Sequence, residues 1–93
     1  MMDPDTKAKV LGRLRRIGGQ VQGIQRMLDN DEDCRDILLQ FAAVQGAVEQ
    51  ARKLLLGQHI ESCVADAIRS GSSRERQKRV SDLLAVVSRF SGR

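Results

Sequence analysis

The sequence predicts an all-α fold with three helices per chain, and three observations lead there. The 93 residues include two Phe, no Trp or Tyr and a single Pro at position 4, so any core is aliphatic and the composition favours helix over strand. Two stretches carry apolar residues at alternating spacings of four and three: Val10, Leu14, Ile17, Val21, Ile24 and Leu28, then Ile37, Phe41, Val44, Val48, Ala51 and Leu55. Each is a heptad seam lasting nearly three repeats. Polar clusters with turn chemistry, Asp29 to Asp33 and Gly71-Ser72-Ser73, separate the segments.

The first helix follows a short polar arm, with Asp5 or Thr6 as its cap and Pro4 just before it. Gly18, Gly19 and Gly23 weaken it intrinsically, which suggests close approach of another helix or of a phosphate backbone. The second helix runs from Cys34 to about Arg69, with Gly57 a tolerated weak point and the acids of the preceding turn well placed at its N-terminus. Ser73, Arg74 and Glu75 open a shorter third helix whose apolar face is Val80, Leu83, Leu84, Val87 and Phe90, and Ser91 to Arg93 should fray. The matched periods of the first two helices predict a long hairpin. So short a chain is marginal for burying a large core alone, a shortage that oligomerisation repairs. The expected assembly is a hairpin dimer forming an antiparallel four-helix bundle, with third helices left to cover it or to join dimers into a dimer of dimers. No internal repeat or second domain interrupts residues 1–93, which read as a single domain.

No apolar run is long enough for a bilayer, and the stretch Met1 to Lys9 is polar and mixed in charge, unlike a signal peptide. The expected location is the cytoplasm, where two Cys stay reduced and available as ligands or nucleophiles. The net charge of +4 is unevenly spread: +3 over residues 1–30, −3 over 31–70 and +4 over 71–93. Basic ends around an acidic middle suggest a polyanionic partner, although a charged stripe is most often only a solvated face.

Three soft donors stand at the two ends of the second helix. Cys34 opens it, and His59 and Cys63 close it at a spacing of four, which puts both side chains on one helix face. If the helix is continuous, the 25 residues from Cys34 to His59 span roughly 38 Å, too far for one chain to gather all three. An antiparallel twofold mate brings Cys34 of one subunit beside His59 and Cys63 of the other, giving two identical sites per dimer. The dyad then falls near residues 46 to 48, where Gly46 and Ala47, with Ala42, Ala43 and Ala51 close by, permit close helix approach. Two sulfurs and one nitrogen suit trigonal Cu(I), whereas structural zinc wants a fourth ligand and square-planar nickel one more nitrogen or oxygen donor. Buried Cys is common and a lone His at a helix end is usually structural, so the residues alone leave both readings open. A thiol enzyme built on Cys63 and His59 lacks an evident third group to orient the His.

A basic row, Lys9, Arg13, Arg16 and Gln20, is expected on the side of the first helix away from its seam. Arg15 widens it, and Arg52 and Lys53 extend it from the second helix. Such a surface can contact phosphates, but the hairpin helices are too long, and their loop wrong, for a helix-turn-helix.

The run Leu14-Arg15-Arg16-Ile17-Gly18-Gly19-Gln20-Val21-Gln22-Gly23-Ile24-Gln25-Arg26-Met27, followed by Cys34 and then His59 and Cys63, closely resembles the CsoR/RcnR group of bacterial metal-responsive repressors over nearly the whole chain. The resemblance implies an all-helical dimer of hairpins assembling to a homotetramer and binding operator DNA. In the copper-sensing branch it implies that the Cys, His, Cys triad binds Cu(I) across the subunit interface, with release of DNA and expression of efflux or resistance genes. A copper chaperone is a further partner compatible with that branch, and no membrane is expected.

The branches separate on particular residues. Nickel and cobalt sensors of the group add an N-terminal His where this chain has Met1 and Met2. Formaldehyde sensors place Pro directly after the initiator Met and lack the last Cys, whereas here Pro4 is displaced and Cys63 is present. Persulfide sensors lose the His, retained here as His59. Copper sensing is the branch implied, with thiol sensing through Cys34 and Cys63, or a different metal such as Ni(II), as the alternatives. Copper sensors often carry a Tyr before the first Cys and a Glu in the third helix, both tied to the His. This chain has Asp33 and, by this alignment, Asp82, shifted by a longer linker from Gly71 to Arg79. One arginine of the group's basic surface is Gln50 here, leaving Arg52 and Lys53 as substitutes.

Overall fold

A computed structural model describes residues 2–91, and within them three helices follow in order: α1 (Pro4–Asp29), α2 (Cys34–Arg69) and α3 (Ser73–Ser91). The expected fraying at Gly92 and Arg93 lies outside the described residues. α1 begins earlier than expected. Pro4 is its first residue and not a flanking one, because the N–H that proline lacks has no partner in a first turn anyway. Asp5 therefore lies inside the helix, where it pairs with Lys9 at 3.2 Å one turn on, and Thr6 likewise is helical.

α1 ends in a left-handed cap. Asp31 has φ of 52°, and around it the N–H of Asp31 donates to the Leu28 carbonyl at 3.1 Å and that of Glu32 to Met27 at 3.0 Å. This is the paired closure of a Schellman motif, with Asp where glycine is usual. Asp33 then caps α2: its Oδ1 accepts the N–H of Arg35 at 2.9 Å and its carbonyl accepts that of Ile37 at 3.1 Å. Gly57 is carried within α2 without a break.

The described residues divide into two compact units that share α2, one being Pro4–Leu55 and the other the remainder of α2 with α3 and the residues before Pro4. In the first, α1 packs on α2 through alternate members of the two seams. Ile17, Ile24, Ile37 and Ala51 are buried, with Val10 and Val44 half-buried beside them. The intervening members, Leu14, Val21, Leu28, Phe41, Val48 and Leu55, are left 40 to 55% exposed. One row of each seam is thus satisfied within the hairpin and the other is open to water. Nothing outside the helix backbone comes within 4 Å of a Cβ built at Gly18, Gly19 or Gly46, and at Gly23 only the Arg26 guanidinium does, at 3.7 Å. The close approach expected at Gly18, Gly19 and Gly23 is therefore not made by α2.

In the second unit, the stretch read as a linker from Gly71 to Arg79 is mostly helix. Only Ser70 to Ser72 separate α2 from α3, and Ser72 caps α3 by accepting the Glu75 N–H on its Oγ at 3.1 Å. The Ser70 hydroxyl donates to Glu75 Oε2 at 3.1 Å and so completes the junction. No helix among the described residues is long and apolar enough to cross a membrane.

The left-handed residue is open to test. Asp31→Val places a β-branched side chain at positive φ and should cost about 1–2 kcal/mol in thermal unfolding, while Asp31→Gly should be at least as stable as the parent. Equal stability of all three would mean that the turn does not hold this conformation.

Candidate metal centre and basic cleft

Helix periodicity puts His59 and Cys63 one turn apart on α2, and their Nε2 and Sγ atoms are 3.7 Å apart. A metal held by sulfur at about 2.3 Å and nitrogen at about 2.0 Å would see such a pair at an angle of about 119°, close to the trigonal value. The pair therefore fits a metal in separation as well as in donor type. His59 is exposed and Cys63 half-buried. Cys34, the first residue of α2, is exposed, and both thiols are free. Among the described residues of one chain, no three His, Cys, Asp or Glu side chains gather as a metal-holding group.

The helix turn after Cys63 contains a feature that sequence reading passed over. Asp66 accepts from Arg69 at 2.8 Å and lies 3.6 Å from Arg79, so it ties α3 to α2 three residues beyond Cys63. The hydrogen bond from Arg69 holds the Asp66 carboxyl below the usual carboxylate range against a partial opposing effect of burial, and the charges of Arg79 and Arg69 add to it. The cluster keeps its charge pairing as pH falls, losing it only once Asp66 takes up a proton. Its sequence signal was available as the i, i+3 pair Asp66 and Arg69. Asp82, assigned to the environment of the histidine from the resemblance, is exposed on α3 and does not line the groove next to Cys63.

That groove, of about 440 Å³, has Cys63, Val64 and Ile68 on one side and Arg76, Arg79 and Leu83 on the other. A second, shallower cleft of about 190 Å³ brings together Arg13, Arg16 and Gln20 with Ile17 and Ala47. Three members of the expected row, Arg13, Arg16 and Gln20, thus share one cleft that flanks the α1–α2 contact and does not face away from it, and Lys9 is not among its lining residues. Arg15 is exposed and does not line this cleft. Arg52 is partly buried and paired with Glu49 at i−3, which dilutes its charge, while Lys53 is exposed. The Lys9–Asp5 pair is so exposed that it contributes little to stability.

With this geometry in place, likeness to known proteins is informative. The profile of the metal-sensitive transcriptional repressor family matches residues 6–89. The copper-sensing transcriptional repressor CsoR of Bacillus subtilis strain 168 is 46% identical over 85 residues, covering 91% of this chain and 81% of that one. Among solved structures, the copper-sensing repressor CsoR with Cu(I) from Geobacillus thermodenitrificans NG80-2 superposes with a TM-score of 0.82 at 36% identity, over 98% of this chain and 92% of that one. The nickel-responsive transcriptional regulator InrS gives 0.78 at 30% identity, over 89% and 90%. A profile match across most of the chain, a shared three-helix fold and a sulfur–nitrogen pair at ligand spacing converge: the chain belongs to the metal-sensitive transcriptional repressors, a family of regulators and not of enzymes.

Proposed function

We propose that this chain is a Cu(I)-responsive repressor that holds operator DNA when metal-free and releases it when Cys34 of one subunit and His59 and Cys63 of its mate bind Cu(I), derepressing copper efflux or resistance genes. The observation that carries this reading is the His59–Cys63 pair at 3.7 Å, a two-donor fragment wanting one more soft ligand. Cys34 is the one other thiol, and it supplies that ligand from a second copy. On an ideal helix, at about 100° of rotation per residue, positions 59 and 63 fall about 20° to either side of position 34, the side of the helix that also carries positions 41, 48 and 55. That side is left open in the hairpin. Covering it with an antiparallel mate buries six half-exposed apolar side chains per subunit, on the order of 1 kcal/mol each. The same act assembles the ligand set. Residues 1–93 then work as one metal-sensing and DNA-binding domain, with dimers pairing into tetramers in the cytoplasm.

The copper relatives at 46% and 36% identity support the choice of metal. The nickel-responsive neighbour makes Ni(II) the metal to exclude. Stoichiometric Cu(I) uptake should survive a competing chelator and be lost in His59→Ala, with Ni(II) failing to release DNA. Release by polysulfide alone, without metal, would transfer the function to thiol chemistry at Cys34 and Cys63.

DNA is read here through phosphates, with Arg13, Arg16 and Gln20 in the cleft as the centre of the surface and Lys9, Arg15, Arg52 and Lys53 around it. Arg13→Ala and Arg16→Ala should each weaken operator binding and lower the salt dependence by about one counterion while copper affinity barely moves. Loss of both activities together would indicate a folding defect and not a lost contact.

Sharing of the site has its own test. Cys34→Ala and Cys63→Ala homodimers each lack an intact site. In the heterodimer, Cys34 of one subunit meets His59 and Cys63 of the other, and one site is restored. Purified through two tags, the heterodimer should bind about one tight Cu(I) per dimer. A folded heterodimer that recovers no tight binding would rule out the antiparallel sharing.

A further inference from the structure

The groove beside Cys63 carries more positive charge than its surroundings neutralise. Arg69 and Arg79 share the single carboxylate of Asp66, at 2.8 and 3.6 Å, and Arg76 stands on the groove wall with no ion pair among the described residues. Arg76 is also out of keeping with its position. It lies in line with Val80 and Leu83 on the apolar side of α3, lining the groove with them, where an aliphatic residue would continue the stripe. Exposed apolar side chains next to it, Val64 at 48% and Ile68 at 77%, mark the same groove as a surface awaiting cover.

An opposite excess surrounds Cys34. Between Asp29 and Asp36 the chain holds five carboxylates and one guanidinium. Asp33 is engaged in capping α2, and none of Asp29, Asp31, Glu32 and Asp36 forms an ion pair among the described residues. Bringing this acidic segment beside the Asp66 carboxylate would be opposed by like charge unless cations stood between them. The two unmatched excesses, one at each end of α2, are complementary.

We propose that the groove rimmed by Arg76 and Arg79 is the seat for the acidic segment Asp29–Asp36 of a second copy of this chain, so that α3 clamps the partner's Cys34 against His59 and Cys63. The inference rests on the shared-site reading above and adds to it a specific partner surface. It gives α3 a task, and it gives the basic charge of residues 71–93 a function separate from DNA. It also offers a substitute for the Tyr and Glu that the resemblance led us to expect near the histidine: with Asp33 committed as a cap and Asp82 outside the groove, ion pairing from α3 positions the ligands in their place. Arg76 is on this view a positioning residue that touches no ligand atom.

Charge reversal in the full-length protein tests the clamp by two readouts, dimer dissociation in sedimentation equilibrium and Cu(I) affinity in chelator competition. Arg76→Glu, and separately Glu32→Arg with Asp36→Arg, should each raise the dimer dissociation constant about tenfold at low salt and weaken Cu(I) binding in parallel. Combined in one chain they should return both values to within about threefold of the parent, and in about 1 M salt the differences should vanish. No effect of Arg76→Glu, or a combined variant as weak as the two changes multiplied, overturns the proposal. Should the combined variant lose helicity by circular dichroism, a double-mutant cycle of Arg76→Gln and Glu32→Gln replaces it, and zero coupling there is equally fatal. The outcome separates from that of the shared site. Charge rescue with no copper recovery in the Cys34→Ala/Cys63→Ala heterodimer would keep the clamp and discard the ligand set, and the reverse would do the opposite.

Discussion

The hairpin satisfies only half of its own heptad pattern, and most of what distinguishes this chain follows from that. A seam with apolar residues at two of every seven positions can face one neighbour with both rows or two neighbours with one row each. Here α1 and α2 meet through Val10, Ile17 and Ile24 against Ile37, Val44 and Ala51, leaving Leu14, Val21 and Leu28 with Phe41, Val48 and Leu55 turned outward. Among the described residues four apolar side chains are buried and none is completely shielded from water, which is little for a domain whose ordering entropy must be overcome. On our reading the second rows are the reserve from which the remaining stability would be drawn, and a mate that covers them is a condition of folding as much as of sensing.

The ends of α2 are built with comparable economy. Its N-terminus is held by the Asp33 side chain immediately before Cys34, so the backbone of the first turn, which carries that residue, is fixed by a cap. Its C-terminal stretch is tied to α3 by Asp66 and Arg79, one helical turn past Cys63. Both candidate ligand positions therefore sit next to a local electrostatic restraint. This is how an exposed Cys or His acquires a defined place without a buried core around it.

Helices, their order and the hairpin were legible in the sequence because periodicity and turn chemistry are local, and the ends of α2 and the start of α3 fall where the residues indicate. The start of α1 was misjudged, since proline reads as a breaker and is here the first helical residue. The seam was read as one surface because spacing gives which residues share a helix side and not how many neighbours that side meets. The His59–Cys63 pair followed from a spacing of four and is present at 3.7 Å. What escaped was the Asp66 cluster, because Arg79 reaches it from another helix and no pattern within α2 announces that contact. Asp82 came from the resemblance and not from a pattern in the residues, and it is exposed on α3 outside the lining of the groove beside Cys63.

Placing soft donors at both ends of one long helix has a consequence for how metal could be converted into a signal. A ligand shifts an equilibrium only by its difference in affinity between two states. If Cys34, His59 and Cys63 lay together in one chain, metal would bind a preformed pocket and favour no arrangement of subunits over another. Divided between copies, the same three donors have high affinity only when the two α2 helices stand in one register, so nearly all the binding free energy becomes available to select that register. The cleft of Arg13, Arg16 and Gln20 includes Ala47, close to the expected dyad, so on the proposed pairing the basic surface would be anchored to the same contact. A small change in how two α2 helices sit would reposition both basic clefts at once. On our proposal, a third helix gripping the partner's acidic turn would set how far the register can drift before metal arrives, and with it the free-energy difference between states that Cu(I) would have to overcome.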